Sequence, residues 1–291
     1  MKQFVPVKNG FILIHKPEGP TSFDIIRNLR RHLNIKKMGH AGTLDPLASG
    51  LLVVAVGQAT KLLPLVPVDT KEYHFAIQFG ETRETGDREG EVAESGFPTP
   101  TIEELENILS QFRGTISQIP PKYSAIKING RKAYELARKG EEVEIQPREV
   151  DISSLELIDF DDTTGLANLV VNCSSGTYVR SLAQDIATAL NSGAYAARIH
   201  RTRVGMFYLT DAVTVEEVLT EESITPPEQL LTQWETISIS GKKEKLFRNG
   251  NGVDIDHAEV ESIWVTGEDS SLIALAKVDE GKIISLRNFT H

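Results

Sequence analysis

Short apolar runs, many of them alternating with polar residues, dominate the chain and predict strands more often than long helices. The run 51–56 (LLVVAV) is continuous and rich in β-branched residues, which is typical of a strand buried on both faces. In 73–79 every second residue is aromatic or aliphatic, so a strand with one buried face is predicted there. Further strands are predicted at 10–15, 155–158 and 169–173.

Apolar residues at helical spacing mark three further segments, each preceded by a residue that can cap a helix. Thr21 or Ser22 starts the first helix, whose outer face carries arginines, and Thr101 starts the second. We expect Thr177 to cap the third, which places Tyr178 and Arg180 in its first turn. A short helix is also expected at 59–65.

The amino-acid composition of the chain changes after residue 212. The stretch 213–231 is acidic, and 237–291 alternates apolar and polar residues between glycine-containing turns. A length of 291 residues favours about two domains. We therefore predict one domain at 1–233 and a small β module at 234–291.

Composition narrows the class of protein. No apolar stretch approaches the length of a membrane span, and the first residues do not resemble a signal peptide, so we expect a cytoplasmic protein. The single cysteine, Cys173, lies in a predicted strand and is expected in the core. With a single cysteine the sequence offers neither a disulfide nor a Cys/His zinc spacing, so we expect no metal.

The net charge of −10 argues at first sight against a nucleic-acid partner. Its distribution changes that picture, because residues 1–67 hold nine Lys or Arg and only three acids. A basic face on an acidic protein still attracts phosphate, since the field at the site decides binding. Solvated surface charge is the alternative interpretation.

The segment 39–56 (GHAGTLDPLASGLLVVAV) is the strongest candidate for chemistry. Pro46 disfavours helical backbone at Asp45, so this carboxylate is expected at a loop end beside the buried strand. Asp before Pro in a glycine-rich loop is also common turn chemistry, and the local sequence alone leaves both interpretations open. The segment resembles the signature loop of the TruB family of tRNA pseudouridine synthases. That resemblance implies that Asp45 is the catalytic nucleophile.

Other segments resemble the same family, in the same order, over roughly residues 9–210. The run 176–183 (GTYVRSLA) resembles the family segment whose arginine pairs with the catalytic aspartate and whose tyrosine lines the uracil pocket. The resemblance therefore implies these roles for Arg180 and Tyr178. It further implies that the target base lies between Tyr73 and Ile199.

Two residues near the loop carry alternative interpretations. The resemblance of 16–22 to the first family motif implies that Lys16 packs beneath the active site, whereas an exposed lysine at a strand end is equally compatible with the sequence. We assign His40 to the space that the flipped nucleotide vacates, and a hydrogen-bonded loop histidine is the alternative.

The acidic loop 80–92 departs from the family pattern at Arg83 and Glu84, which leaves its role open.

The stretch from about 120 to 148 interleaves basic and aromatic residues, a composition suited to phosphates and exposed bases. It resembles the thumb-like insertion with which the family clamps the tRNA T arm, and a plain surface hairpin is the alternative. In that clamp we expect substrate contacts from Lys127, Arg131 and Lys132.

The resemblance implies an α+β fold: a mixed, largely antiparallel sheet flanked by helices, the inserted thumb, and a C-terminal module weakly similar to PUA-type RNA-binding domains. It implies isomerisation of a uridine in the T loop of tRNA, conventionally position 55, without cofactor, metal or protein partner. Two alternatives are an inactive RNA-folding protein, which predicts damage at Asp45, Tyr73 or Arg180, and a guide-dependent synthase, which usually lacks the clamp. All three residue types are intact.

Overall fold

The fold is taken from a computed structural model that describes residues 9–124, 126–128, 131–133, 136, 145–218 and 223–289. Within these ranges no helix is both long and apolar enough to cross a membrane. The strands in chain order are β1 (Gly10–Lys16), β2 (Met38–Ala41), β3 (Ser49–Val56), β4 (Thr70–Phe79), β5 (Glu81–Arg83), β6 (Val92–Ser95), β7 (Gly114–Gln118), β8 (Lys127–Ile128), β9 (Arg131–Lys132), β10 (Arg148–Asp161), β11 (Leu166–Ser174), β12 (Ala194–Val204), β13 (Phe207–Tyr208), β14 (Thr236–Ser238), β15 (Val253–Asp254), β16 (Val260–Thr266), β17 (Leu272–Asp279) and β18 (Lys282–Asn288).

Within the described residues, helices are fewer than strands. The α-helices are Ser22–His32, Ile102–Leu109, Val179–Ala189, Pro227–Leu230 and Gly241–Arg248, and 3-10 turns occupy Gly57–Leu65, Ser110–Phe112 and Leu209–Asp211. Thr21 and Thr101 each form a capping box, in which the threonine and the acid three residues later exchange hydrogen bonds. The helix expected at 59–65 lies within a 3-10 segment, Gly57–Leu65, that contains Pro64.

The main sheet confirms the predicted mixed, largely antiparallel architecture. Its order is β1-β3-β12-β4-β11-β10-β7, with β2 attached to β3 and β13 to β12. The pair β3 and β12 is parallel, and the other pairs in this sheet are antiparallel. Residues 51–56 of β3 are fully buried, as the continuous apolar run predicts.

The helix Val179–Ala189 covers one face of the sheet. Leu182 and Ile186 pack in the same buried cluster as Phe75 and Ile77 of β4. Tyr73 continues that face towards the start of β4 and is 7% exposed. This packing fixes the first turn of the helix beside the loop that carries Asp45.

A second sheet, ordered β14-β16-β17-β18-β15, follows in the last part of the chain. It has its own apolar cluster, which includes Phe247 of the helix Gly241–Arg248. Trp264 and Phe289 belong instead to a cluster that they share with Phe11 of β1. The two sheets therefore pack against each other, and the boundary at residue 234 stays a prediction.

Candidate active site

A cavity of about 300 Å³ opens between the loop before β3, the start of β4 and the first turn of the helix Val179–Ala189. Five of the residues expected at the site line it together: Asp45, Tyr73, Tyr178, Arg180 and Ile199. They come from separate parts of the chain, so the fold is what assembles them.

Asp45 both begins a turn and faces the cavity. Its carbonyl accepts a hydrogen bond from the Ala48 N–H at 3.1 Å, which closes a turn with Pro46 in its second position. The carboxylate is 36% exposed and therefore accessible to a substrate. The turn that the sequence suggests is therefore present, and the catalytic role of Asp45 stays a prediction.

The backbone on either side of Asp45 is hydrogen-bonded to side chains of the first helix and of β1. The buried hydroxyl of Ser22 donates to the Leu44 carbonyl at 3.0 Å and accepts from the Leu44 N–H at 2.9 Å. The Lys16 ammonium donates to the Pro46 carbonyl at 3.3 Å. These bonds connect the first helix and β1 to the loop, and they fix the backbone that carries the carboxylate.

Lys16 is fully buried, so the interpretation as an exposed lysine is wrong. Its ammonium also donates to the Pro17 carbonyl at 2.8 Å. Burial lowers the pKa of Lys16 to about 8, although the Asp45 carboxylate acts in the opposite direction. The lysine lies under the turn, and it is not among the residues that line the cavity.

Arg180 joins the loop of Asp45 to the acidic loop 80–92. Its Nη2 lies 2.8 Å from Oδ2 of Asp45, and its Nη1 lies 3.3 Å from Oδ2 of Asp87. The same guanidinium donates to the Thr85 carbonyl at 3.0 Å and to the Tyr123 carbonyl at 2.9 Å. With a side chain only 4% exposed, the arginine is held on several sides.

Asp87 is a site residue that the sequence analysis did not single out. Its carboxylate is 5% exposed and also accepts hydrogen bonds from the Thr85 hydroxyl and the Glu89 N–H. Because Arg83 and Glu84 depart from the family pattern, the sequence left the role of the loop 80–92 open. A useful signal was the tight run 85–87 (TGD), where Gly86 has a φ of +72° and turns the backbone.

The N-terminus of the helix Val179–Ala189 differs from the expectation. Tyr178 is the N-cap residue, no side chain caps the helix, and the Thr177 hydroxyl is buried without a hydrogen-bond partner. Gln118 of β7 instead binds the backbone of the N-cap residue: its amide oxygen accepts from the Tyr178 N–H at 2.8 Å, and its amide nitrogen donates to the Tyr178 carbonyl at 3.2 Å. Arg180 does lie in the first turn, as predicted.

The walls of the cavity are aromatic and aliphatic. Tyr73 on β4 and Ile199 on β12 are 7% and 5% exposed, and Tyr178 completes the wall beside Asp45. Burial raises the pKa of both tyrosine hydroxyls, so they stay protonated at neutral pH. A flat base fits between such surfaces by stacking and van der Waals contact.

His40 lies on β2, outside the residues that line the cavity. Its Nδ1 is buried without a hydrogen-bond partner. Burial lowers the pKa of the ring, and the positive charge of Arg201 acts in the same direction. The imidazole is therefore neutral at pH 7, and its assignment to a vacated nucleotide space stays a prediction.

The expected clamp falls partly outside the described residues. Of the range 120–148, residues 125, 129–130, 134–135 and 137–144 are not described, nor are the side chains of Lys127 and Lys132. The described backbone pairs β8 with β9, and Arg131 is exposed. At its base, Ser124 lines the cavity, and the Ile119 carbonyl accepts from the Ser181 hydroxyl at 2.7 Å.

Two basic residues near the cavity escaped the sequence analysis. Arg201 is fully buried and donates to the Leu51 carbonyl at 2.9 Å and the Gly42 carbonyl at 3.0 Å, which ties β12 to the loop. Lys71 on β4 lines the cavity directly. Among the residues that the structure describes, no three His, Cys, Asp or Glu side chains gather as metal ligands would.

Comparisons with known proteins agree on one family. The model of the TruB family pseudouridylate synthase (N terminal domain) matches residues 30–179. The tRNA pseudouridine synthase B of Clostridium tetani is 38% identical over 288 residues, which cover 96% of this chain and 99% of that protein. The protein of the same name from Caldanaerobacter subterraneus is 42% identical over 244 residues, covering 83% and 85% of the two chains.

Solved structures resemble the fold as well. A chain of an H/ACA RNP bound to a substrate RNA matches with a TM-score of 0.67 at 20% identity, covering 97% of this chain and 85% of that one. A chain of the archaeal box H/ACA sRNP Nop10-Cbf5 complex matches with a TM-score of 0.66 at 22% identity, covering 98% and 87%. At such identities the likeness concerns the fold alone.

Proposed function

Because the chain belongs to the TruB family of pseudouridylate synthases, we propose that it isomerises a uridine of tRNA to pseudouridine. The observation that carries the proposal is the ion pair between Asp45 and Arg180 at the wall of a cavity that Tyr73, Tyr178 and Ile199 also line. The cavity combines a fixed, accessible carboxylate with surfaces that suit a flat base. No observation favours the inactive RNA-folding alternative.

The roles of the residues follow from this arrangement. A glycosidic bond within a folded RNA loop is out of reach, so the nucleotide has to be flipped into the cavity. Asp45 attacks the sugar or assists cleavage of the C1′–N1 bond, and Arg180 keeps the carboxylate oriented. Tyr73 and Ile199 hold the freed uracil on its two faces while it turns to present C5 to the sugar.

We propose the T loop of tRNA as the target, at the uridine conventionally numbered 55. The basic N-terminal region and the segment 120–148 would supply phosphate contacts for the T arm. The relatives named tRNA pseudouridine synthase B match most of this chain, which supports a tRNA substrate and a cytoplasmic site of action. The C-terminal sheet would act as the PUA-like module of this enzyme.

The proposal is tested by mapping pseudouridine in an unmodified tRNA transcript after incubation with the purified protein. Carbodiimide adducts of pseudouridine survive alkali and stop reverse transcription one nucleotide before the modified position. We expect a single new stop, at the T-loop uridine, and none with the variant Asp45→Asn. Stops elsewhere only would contradict the T-loop assignment, and no stop at all would contradict the proposed reaction.

A further inference from the structure

Among the described residues that line the cavity, two side chains are cationic, and one of these two is already neutralised by partners. Arg180 pairs with the carboxylates of Asp45 and Asp87 and donates to two carbonyls. Its charge is therefore balanced before any substrate arrives. The second cation is Lys71.

Within the described part of the chain, the Lys71 ammonium has neither a hydrogen bond nor an ion pair. It is half-buried, and burial lowers its pKa to about 8, with the positive charge of Arg201 acting in the same direction. An uncompensated ammonium in such a place costs stability. Groups of this kind concentrate at functional sites, where a ligand supplies the missing partner.

The position of Lys71 relates it to the base rather than to the carboxylate. Lys71 and Tyr73 are two residues apart on β4 and project from the same face. On the other side lies Gly42 of the loop, and a Cβ on this glycine would stand 3.6 Å from the Lys71 Nζ. The glycine therefore places no side chain against the ammonium, and Lys71 lines the same cavity as Tyr73.

We propose that Lys71 stabilises the negative charge that the uracil acquires when its bond to the ribose breaks. The inference rests on the proposed function and deepens it. When the C1′–N1 bond breaks, its electron pair moves to the uracil and spreads over N1 and both carbonyl oxygens. The anion then attacks C1′ through C5 and displaces the Asp45 carboxylate where that has bonded to C1′; C5 releases its proton to solvent, and N1 takes one up. Lys71 donates a hydrogen bond throughout and transfers no proton.

The chemistry of the ammonium matches this role. It carries three N–H donors and no acceptor, so it prefers a carbonyl oxygen that gains negative charge. A donor that meets charge developing in a partly dehydrated cavity stabilises the transition state more than the ground state. A backbone phosphate is the competing anion, but it has to stay near the solvent-exposed ribose. The Lys71 side chain instead lies opposite Cys173 in the sheet register, and that cysteine is buried.

The test compares the parent with Lys71→Met and Lys71→Arg in single-turnover reactions at saturating enzyme. The substrate is a T-arm stem-loop that carries either uridine or 5-fluorouridine at the target position. The disappearance of the target nucleoside is followed by chromatography, because 5-fluorouridine has no C5 proton to release and its C5-linked product is not pseudouridine. Lys282→Met, at an exposed lysine of β18, is the matched control. Thermal unfolding and stem-loop affinity of each variant are measured alongside.

For uridine we expect Lys71→Met to be slower than the parent by about 10²-fold, the effect of losing one donor to a developing anion. Lys71→Arg should recover much of that loss, and Lys282→Met should match the parent. With 5-fluorouridine the loss for Lys71→Met should be clearly smaller, because fluorine stabilises the leaving anion. Affinity and its dependence on salt should not change.

Three results would overturn the inference. Lys71→Met could react as fast as the parent, or it could lose the same factor with both substrates. It could also bind the stem-loop more weakly with a shallower salt dependence and react normally once bound, which would identify a phosphate contact. An inactive parent would overturn the proposed function together with this inference, whereas an active parent with any of the three results would overturn this inference alone.

Discussion

Nη2 of Arg180 lies 2.8 Å from Oδ2 of Asp45, and the two side chains differ sharply in exposure, at 4% and 36%. The arginine is thus a fixed part of the protein interior, whereas the carboxylate that it holds faces the cavity. Asp87 lies on the far side of the guanidinium and fixes it in turn. Three charged groups from distant parts of the chain therefore act as one unit.

The first prediction concerns Asp87, which touches Arg180 and does not line the cavity. Asp87→Asn keeps the shape and weakens a charge-assisted hydrogen bond worth about 1.5–3 kcal/mol. We expect the single-turnover rate to fall about 10- to 100-fold while stem-loop affinity stays at the parent value. Glu84→Gln, on the same loop and exposed, is the control. A parent-like rate for Asp87→Asn would show that Arg180 needs no support from this side.

The second prediction concerns the bond between the first helix and the loop. Ser22→Ala removes both hydrogen bonds to the Leu44 backbone and leaves a buried N–H and a buried carbonyl unpaired. The expected loss in free energy of unfolding is about 1–3 kcal/mol, measured by urea denaturation. Ser153→Ala removes a single exposed bond to the Asn172 carbonyl and should change stability little. Equal stability of the two variants would contradict the inference that Ser22 fixes the backbone beside Asp45.

The third prediction uses the pKa of Lys71, which burial lowers from 10.5 to about 8. Between these values the unfolded chain binds the proton more tightly than the folded one, so the parent gains stability as the pH rises from about 8 to 10.5. Lys71→Met removes the penalty and should be more stable at pH 7 by about 1–3 kcal/mol. The advantage should shrink at pH 9.5, as urea titrations of both proteins would measure. Lys16 titrates in both, so its effect cancels. A pH-independent difference would refute the burial penalty.

Periodicity predicted the parts of the fold that depend on local sequence. The buried run 51–56, the one-sided strand at 73–79 and the threonine caps at Thr21 and Thr101 are confirmed. Each depends on residues a few positions apart, where the spacing of apolar side chains or a cap fixes the backbone. Resemblance to one family supplied the residues that the cavity brings together.

Features that depend on the order of the strands were not predictable in the same way. The carbonyls that Arg201 binds lie about 150 residues earlier in the chain, and the sheet brings them close only by placing β12 beside β3. The burial of Lys16 likewise depends on Pro46, 30 residues later. Thr177 was expected as a cap because its type fits, but it makes no capping bond, and Gln118 from a distant strand binds the backbone of the N-cap residue Tyr178. No local pattern encodes such partners.

Release of tritium from C5 of the target uridine tests the central claim most directly. Pseudouridine formation makes a new bond at C5 and must release this label to water, whereas binding or chain cleavage releases none. The purified protein is incubated in EDTA, without cofactor, with a T-arm stem-loop whose uridines carry tritium at C5. We predict one equivalent released per stem-loop by the parent, and less than about 1% of the parent rate with Asp45→Asn at similar affinity. Binding without release, from the stem-loop and from full-length unmodified tRNA alike, would contradict the account, and so would substantial release by Asp45→Asn.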